Sequence, residues 1–248
     1  MARQARTLAL ALATALACAV PTAAQNTPNV VVSLNGGTQV AADGLSDHFD
    51  FERNAETAIV DVKYPVKPGV LVDAGIGVRL WKRFGAGVAV AYATRDGAAQ
   101  VDARIPHPFQ FEQSRTITGE QGSITRAETG VHLQLQYSVE ASRRLSVVLS
   151  GGPSWLGVEQ KLVTDVQYDE AYPYDEATFR SATARRSKAS AVGVNAGADL
   201  RWMFGRTIGL GALVRFTHGT VDLETQDDRH VSVRAGGVQS GVGLRFVF

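Results

Sequence analysis

The sequence predicts an all-β fold: a transmembrane antiparallel up-and-down β-barrel of about eight strands, ten being the alternative, preceded by a cleaved signal peptide. Three observations predict it. The N-terminus reads as an export signal. Segments of apolar–polar alternation recur through the rest of the chain, with one face nearly free of charge. Short turns alternate with long connections, as in membrane barrels whose two sides differ. The bulk numbers agree. With 45% hydrophobic residues and a mean hydropathy of −0.04, the 248-residue chain is too polar for a bundle of membrane helices. A barrel fits because only alternate residues face lipid. A net charge of +1 leaves no global field for a polyanion, so no nucleic-acid partner is expected.

Arg3 and Arg6 form a positive start, Thr7 to Val20 an apolar run, and Thr22-Ala23-Ala24 a small-residue cleavage site. The run falls short of the ~20 apolar residues that a membrane helix needs. Residues 1–24 are therefore assigned to a signal peptide and 25–248 to one barrel domain. The only cysteine, Cys18, lies in the signal. Ala15 stands where a lipoprotein signal wants a large aliphatic residue, so lipidation is not expected. The mature chain then has no thiol for disulfides or metal.

The strands read most clearly from the C-terminus. Val238, Val242, Leu244, Phe246 and Phe248 alternate with Gln239, Gly241, Gly243 and Arg245. Before them, Ile208 to Phe216 and Val192 to Phe204 alternate, joined by a tight turn at Gly205-Arg206. Further alternating segments run Leu145–Leu149, Val131–Val139, Phe84–Tyr92, Val72–Leu80 and Val30–Leu34. An even count suits chain ends on one side of the membrane. The connections near 41–56, 95–123, 164–187 and 222–230 are long and are expected to be extracellular loops. Phe49 to Val66, which ends just beyond Pro65, is expected to be a ribbon outside the membrane.

The two faces differ. Asp73, Arg79, Glu128, Gln134, Gln136, Asn195, Asp199, Arg201, Arg215 and Arg245 share the inner face. Aromatic residues gather near the ends of the outer face, where interfacial girdles form. An eight-stranded barrel has little room inside. Its charges must therefore pair, with Asp73, Glu128 and Asp199 as acceptors for Arg79, Arg201, Arg215 and Arg245. A plugged polar core is expected rather than a wide pore.

With this alternation and the terminal Gly243-Leu244-Arg245-Phe246-Val247-Phe248, the mature chain resembles the small bacterial outer-membrane β-barrel superfamily, of the OmpA-transmembrane-domain, OmpX and OmpW type. The resemblance implies that Val242, Leu244, Phe246 and Phe248 form the signal read by the barrel-assembly machinery. It also implies residence in the outer membrane of a Gram-negative-type bacterium, against lipid and lipopolysaccharide.

No catalytic, cofactor or metal site is expected. His218, with Thr220 and Glu224 beyond it, could form a nucleophile–base pair, but an interfacial histidine is the preferred reading. His132 alternates inward and reads as a lumen hydrogen-bonding residue. Ile105 to Phe111 is a rigid aromatic stretch expected to cap the barrel mouth, with contact to a ligand or another cell as the alternative. Asp165, Asp169, Glu170, Asp175 and Glu176 match no calcium-loop spacing. Arg185, Arg186 and Lys188 are candidates for lipopolysaccharide phosphates. The leading functional expectation is a non-enzymatic barrel with a structural or surface-interaction role, its loops offered to an extracellular ligand. A narrow channel or carrier for small or apolar molecules is the alternative, and a lipid-modifying enzyme stands third.

Overall fold

A computed structural model describes residues 30–40, 44–65, 67–224 and 230–248. The signal-peptide assignment lies outside them. Ten strands form one antiparallel sheet: β1 (Val30–Val40), β2 (Leu45–Arg53), β3 (Glu56–Tyr64), β4 (Gly69–Trp81), β5 (Phe84–Pro106), β6 (Ser114–Glu140), β7 (Leu145–Glu170), β8 (Ala177–Met203), β9 (Ile208–Glu224) and β10 (His230–Val247). Their order is β2-β3-β5-β4-β1-β10-β9-β8-β7-β6, and a β5–β6 pairing closes the ring. Eight strands therefore make the barrel, while β2 and β3 form a ribbon hung on the far half of β5, where Ile59–Lys63 pair with Gln100–Arg104. The terminal residue closes the β1–β10 seam: Phe248 N–H donates to Val30 O (2.9 Å), and Val30 N–H donates to Phe248 O (3.2 Å).

The outer face of the membrane zone is apolar and exposed, from Val72, Ile76 and Val88 round to Val214, Val242 and Leu244. Trp81, Phe84, Tyr137, Trp202 and Phe204 cluster at the short-turn end. Tyr92, Trp155 and Phe216 stand out from the wall further along the strands. This is the distribution of a barrel that crosses a bilayer between two aromatic girdles.

Two of the expected long loops, 95–123 and 164–187, are largely strand. Residues 95–106 and 114–123 continue β5 and β6, and residues 164–170 and 177–187 continue β7 and β8. Three bulges hid them from the alternation, one each in β6, β7 and, at Arg180, β8. In β6, Gly122 and Ser123 intrude where Gly97 pairs with Ile124 and Ala99 with Gln121, and Ser123 takes a φ of 62°. The extra residue reverses the facing. Ile124, Arg126 and Glu128 point inward on one side of it, Arg115 and Ile117 on the other. Thr164 does the same in β7, and Leu162 and Val163 are both buried beside it.

Beyond the membrane zone the ring of pairings is interrupted. The β6–β7 pairing stops at Arg126↔Gln160, β8–β9 at Val194↔His218, and β1–β10 at Val40↔Val238. The freed hairpins pack face to face around an apolar core that includes Val60, Val62, Val101, Ile105, Ile117, Leu162, Val163 and Leu223. Phe179 of β8 lies against Gly119 of β6, where any Cβ would collide with the ring. The interior thus changes from polar within the membrane to apolar outside it. Water can solvate the outer face there, so burial again drives apolar residues inward.

This second core makes a testable division. Val60→Asp places an unpaired charge in it, at an expected cost of roughly 3 kcal/mol or more. Limited proteolysis of the variant in proteoliposomes should cut within residues 45–64, while the barrel band keeps its heat-modifiable migration. Cleavage there accompanied by loss of that migration would show that the two regions fold as one unit.

Candidate functional site: the charged lumen and the converged hairpin tips

The inward residues of the barrel form one hydrogen-bonded chain along the lumen. Arg201 Nε donates to Asp199 Oδ2 (2.6 Å). Asp199 also accepts from both Nε and Nη2 of Arg245. Arg245 Nη1 donates to Asn35 Oδ1 (2.7 Å), and Asn35 Nδ2 donates to Asp73 Oδ1 (2.8 Å). Asp73 Oδ2 accepts from Arg215 Nη2 (2.5 Å), whose Nε donates to Gln239 Oε1 (2.7 Å). Gln239 passes the chain to Gln39 (2.8 Å), and Gln39 to Glu128 Oε2 (2.7 Å). Glu128 Oε1 accepts from Arg126 Nε (2.8 Å) and Arg95 Nη2 (2.7 Å). Arg126 reaches Gln160 on β7 at 3.3 Å. All eight barrel strands contribute at least one member.

Among the residues singled out from sequence, the structure brings Asp73 to Arg215, and Asp199 to Arg201 and Arg245. Glu128 instead meets Arg95 and Arg126. Arg79 does not join the chain: it lies at the short-turn mouth, 3.5 Å from Glu140. Reading 95–123 as a loop concealed Arg95. The amides Asn35, Gln39 and Gln239 were missed as linkers. Their inward phase was visible in the alternation, but their partners stand on strands remote in sequence.

Glycine makes room for the large cations. A methyl at Gly211 would collide with the Arg245 guanidinium. A cavity of 30 Å³ is left beside Asp73, Asp199 and Arg201, room for about one or two waters. Nearer the outer side, His132 Nδ1 lies 2.8 Å from Ser154 Oγ, and Asn195 Nδ2 donates to the same oxygen at 2.9 Å. This serine–histidine contact is buried in the wall of the lumen, and the asparagine binds the serine rather than orienting the histidine. His218 faces outward, its ring stacked on Phe216 at 6.3 Å.

At the far end three hairpin tips meet. Asn54 Nδ2 donates to Pro106 O (3.3 Å), and Glu112 N–H to Glu56 Oε1 (2.7 Å), joining the first tip to the second. Arg115 Nη1 donates to Glu170 Oε2 (2.6 Å) and Tyr174 O (3.1 Å), joining the second to the third. The stretch from Ile105 to Phe111 divides. Ile105 and His107 are buried, whereas Phe109 and Phe111 project into solvent. Only the first part of the stretch packs inward, where Ile105 joins the apolar core beyond the barrel. The acidic residues of the β7–β8 hairpin are spread out, with Asp169 near Arg180 (3.6 Å), Glu170 on Arg115 and Asp175 facing His107. Among the described residues no group of three or more His, Cys, Asp or Glu could hold a metal ion.

No family model matches the chain, and no curated protein sequence matches it. Solved structures of similar shape are outer-membrane barrels. The outer-membrane protein OprG from Pseudomonas aeruginosa shares 10% identity over 90% of this chain and 97% of its own, with a TM-score of 0.46. Neisserial surface protein A shares 12% over 88% and 97%, with a TM-score of 0.42. The outer-membrane protease OmpT from Escherichia coli shares 8% over 91% and 99%, with a TM-score of 0.47. The eight-stranded antiparallel ring itself follows from this chain's own strand pairings.

The lumen chain predicts a specific pattern of stability. Removing one member of a buried pair strands the other charge, so Asp73→Leu or Arg215→Met alone should cost about 3–5 kcal/mol. The double variant Asp73→Leu/Arg215→Met should recover most of that loss. Urea unfolding of the barrel in lipid vesicles, followed by tryptophan fluorescence, measures it. Additive losses in the double variant would contradict a direct pairing.

Proposed function

We propose that this chain is a non-enzymatic outer-membrane barrel whose lumen is closed and whose outward hairpins present a rigid surface for interaction at the cell exterior. The observation that carries the reading is the lumen chain from Arg201 to Arg126, backed by the apolar core beyond it. Five guanidinium groups and three carboxylates cross-link the wall, and an apolar core contributed by several strands lies beyond them. Opening a path would separate charges in a low-dielectric interior. On this reading the barrel is a foundation, and the converged tips are the working part. Val242, Leu244, Phe246 and Phe248, on the seam strand β10, are the segment offered to the assembly machinery.

The barrel also carries a basic cluster suited to the outer leaflet. Glu159 pairs with Arg186 and with Lys188 (2.7 Å), and Lys161 Nζ donates to Ser123 O (3.0 Å). The Glu159–Lys188 pair lies four residues beyond the Trp155–Val192 pair, about 13 Å along the strands. That is the level of lipopolysaccharide phosphates above an aromatic girdle. Glu159 holds two of the cations in place while leaving the cluster net positive. Arg185 is exposed beside it.

Two measurements test these readings. The pure protein in a planar bilayer should show no large stable conductance; a steady nanosiemens-scale opening would favour a channel instead. Arg186→Glu with Lys188→Glu should weaken lipopolysaccharide binding by roughly tenfold, scored by lipid phosphate copurifying with the folded barrel. Equal retention in the variant would remove the leaflet contact.

A further inference from the structure

The converged tips combine two features that select one kind of partner. The first is exposed aromatic surface. Phe109 and Tyr172 are 74% and 85% exposed, and clustered exposed rings of this kind mark interaction surfaces. The rings are ordered rather than scattered. Phe109 and Tyr174 meet edge to face at 5.5 Å and 66°, and Tyr172 and Tyr174 at 6.1 Å and 86°. Two ring pairs, one near-perpendicular and one steeply inclined, therefore share Tyr174. Their base is fixed by His107, whose Nδ1 accepts from the N–H groups of Phe109 and Gln110, both at 3.1 Å.

The second feature is charge. The tip segments 50–56, 107–115 and 169–180 hold eight carboxylates and three arginines. Those arginines are engaged within the tips: Arg53 lies 6.0 Å above the Tyr168 ring, Arg115 binds Glu170, and Arg180 stands 3.6 Å from Asp169. Asp175, 69% exposed, borders the ring cluster. It lies 3.8 Å from His107 Nε2, a buried nitrogen without a hydrogen-bond partner.

Aromatic faces attract ammonium and guanidinium groups through the ring quadrupole, and the carboxylates attract them by charge. An anionic partner would be repelled, and a neutral apolar one would have to dehydrate the carboxylates without pairing them. Arg53 over Tyr168 is the same contact made within the chain. We infer that the crest formed by Phe109, Tyr172, Tyr174 and Asp175 docks lysine or arginine side chains of a basic polypeptide at the cell surface. This inference rests on the surface-interaction reading above and names its partner class.

The experiment uses the full chain in lipid nanodiscs and a fluorescein-labelled decapeptide rich in Lys and Arg, read by anisotropy, with a Glu-rich decapeptide as control. The basic peptide should bind and the acidic one should not. Phe109→Ala with Tyr172→Ala should weaken binding roughly five- to thirtyfold. Both rings are exposed, so the variant keeps the fold. Asp175→Asn should weaken binding less and flatten its salt dependence. The inference is overturned if the aromatic double variant binds as tightly as the parent, which would leave only bare charge attraction. It is overturned equally if the basic peptide binds no better than the acidic one. Adhesion of cells displaying the chain, compared with cells lacking it, tests the parent reading separately. Adhesion without peptide binding removes only the cationic partner; absence of both removes the surface role as well.

Discussion

Charge inside a narrow barrel must be paired, and this constraint organises the molecule. Eight strands enclose too little space for hydrated ions, yet the inner face carries Asp73, Glu128, Asp199, Arg95, Arg126, Arg201, Arg215 and Arg245. Each carboxylate accepts from at least one guanidinium group, and amides carry the hydrogen bonding from one pair to the next. The result ties every barrel strand to others across the lumen. A register slip on any one strand would turn its inner residues toward lipid, leaving a partner charge stranded. The chain therefore helps specify register as well as closing the interior.

The same chain acts on two solvents. Within the bilayer the outer face must be apolar, so polar groups turn inward. Past the outer girdle, water surrounds the strands, and the interior becomes Val, Ile, Leu and Ala. The bulges at Gly122-Ser123 and Thr164 lie in this region and adjust the facing of β6 and β7. Once the barrel pairings end, the hairpins are free to pack face to face. That packing brings three tips together and places Tyr174 between Phe109 and Tyr172.

Much of the membrane part was legible in the sequence. The alternation ending at Phe248, the tight turn at Gly205-Arg206 and the short turns elsewhere assign each crossing strand its lipid face. The ribbon of β2 and β3 was legible in part: Phe49 to Val66 was expected outside the membrane, but Leu45 to His48 fell in an expected loop and the pairing with β5 was not foreseen. Residues 95–123 and 164–187 were misread because bulges break the two-residue period and because outward residues there are polar on both counts of loop and strand. Arg115 illustrates the loss: it is buried and joins two tips, yet its position beyond a bulge reads as loop.

The sequence by itself determined the architecture, since a period of two with one uncharged face has few solutions other than a closed barrel in lipid. It also placed Asp73, Glu128, Asp199, Arg201, Arg215 and Arg245 on the inner face, though not Arg95 or Arg126. Only the tertiary structure decided which of them pair. Pairing depends on the stagger between strands, and Asp73 meets Arg215 across the lumen from a position 142 residues away. The tertiary structure alone also decided that Phe109, Tyr172 and Tyr174 form one crest. Phe109 belongs to the β5–β6 hairpin and the two tyrosines to the β7–β8 hairpin, so no local period links the phenylalanine to them; the apolar packing beneath brings the two tips together.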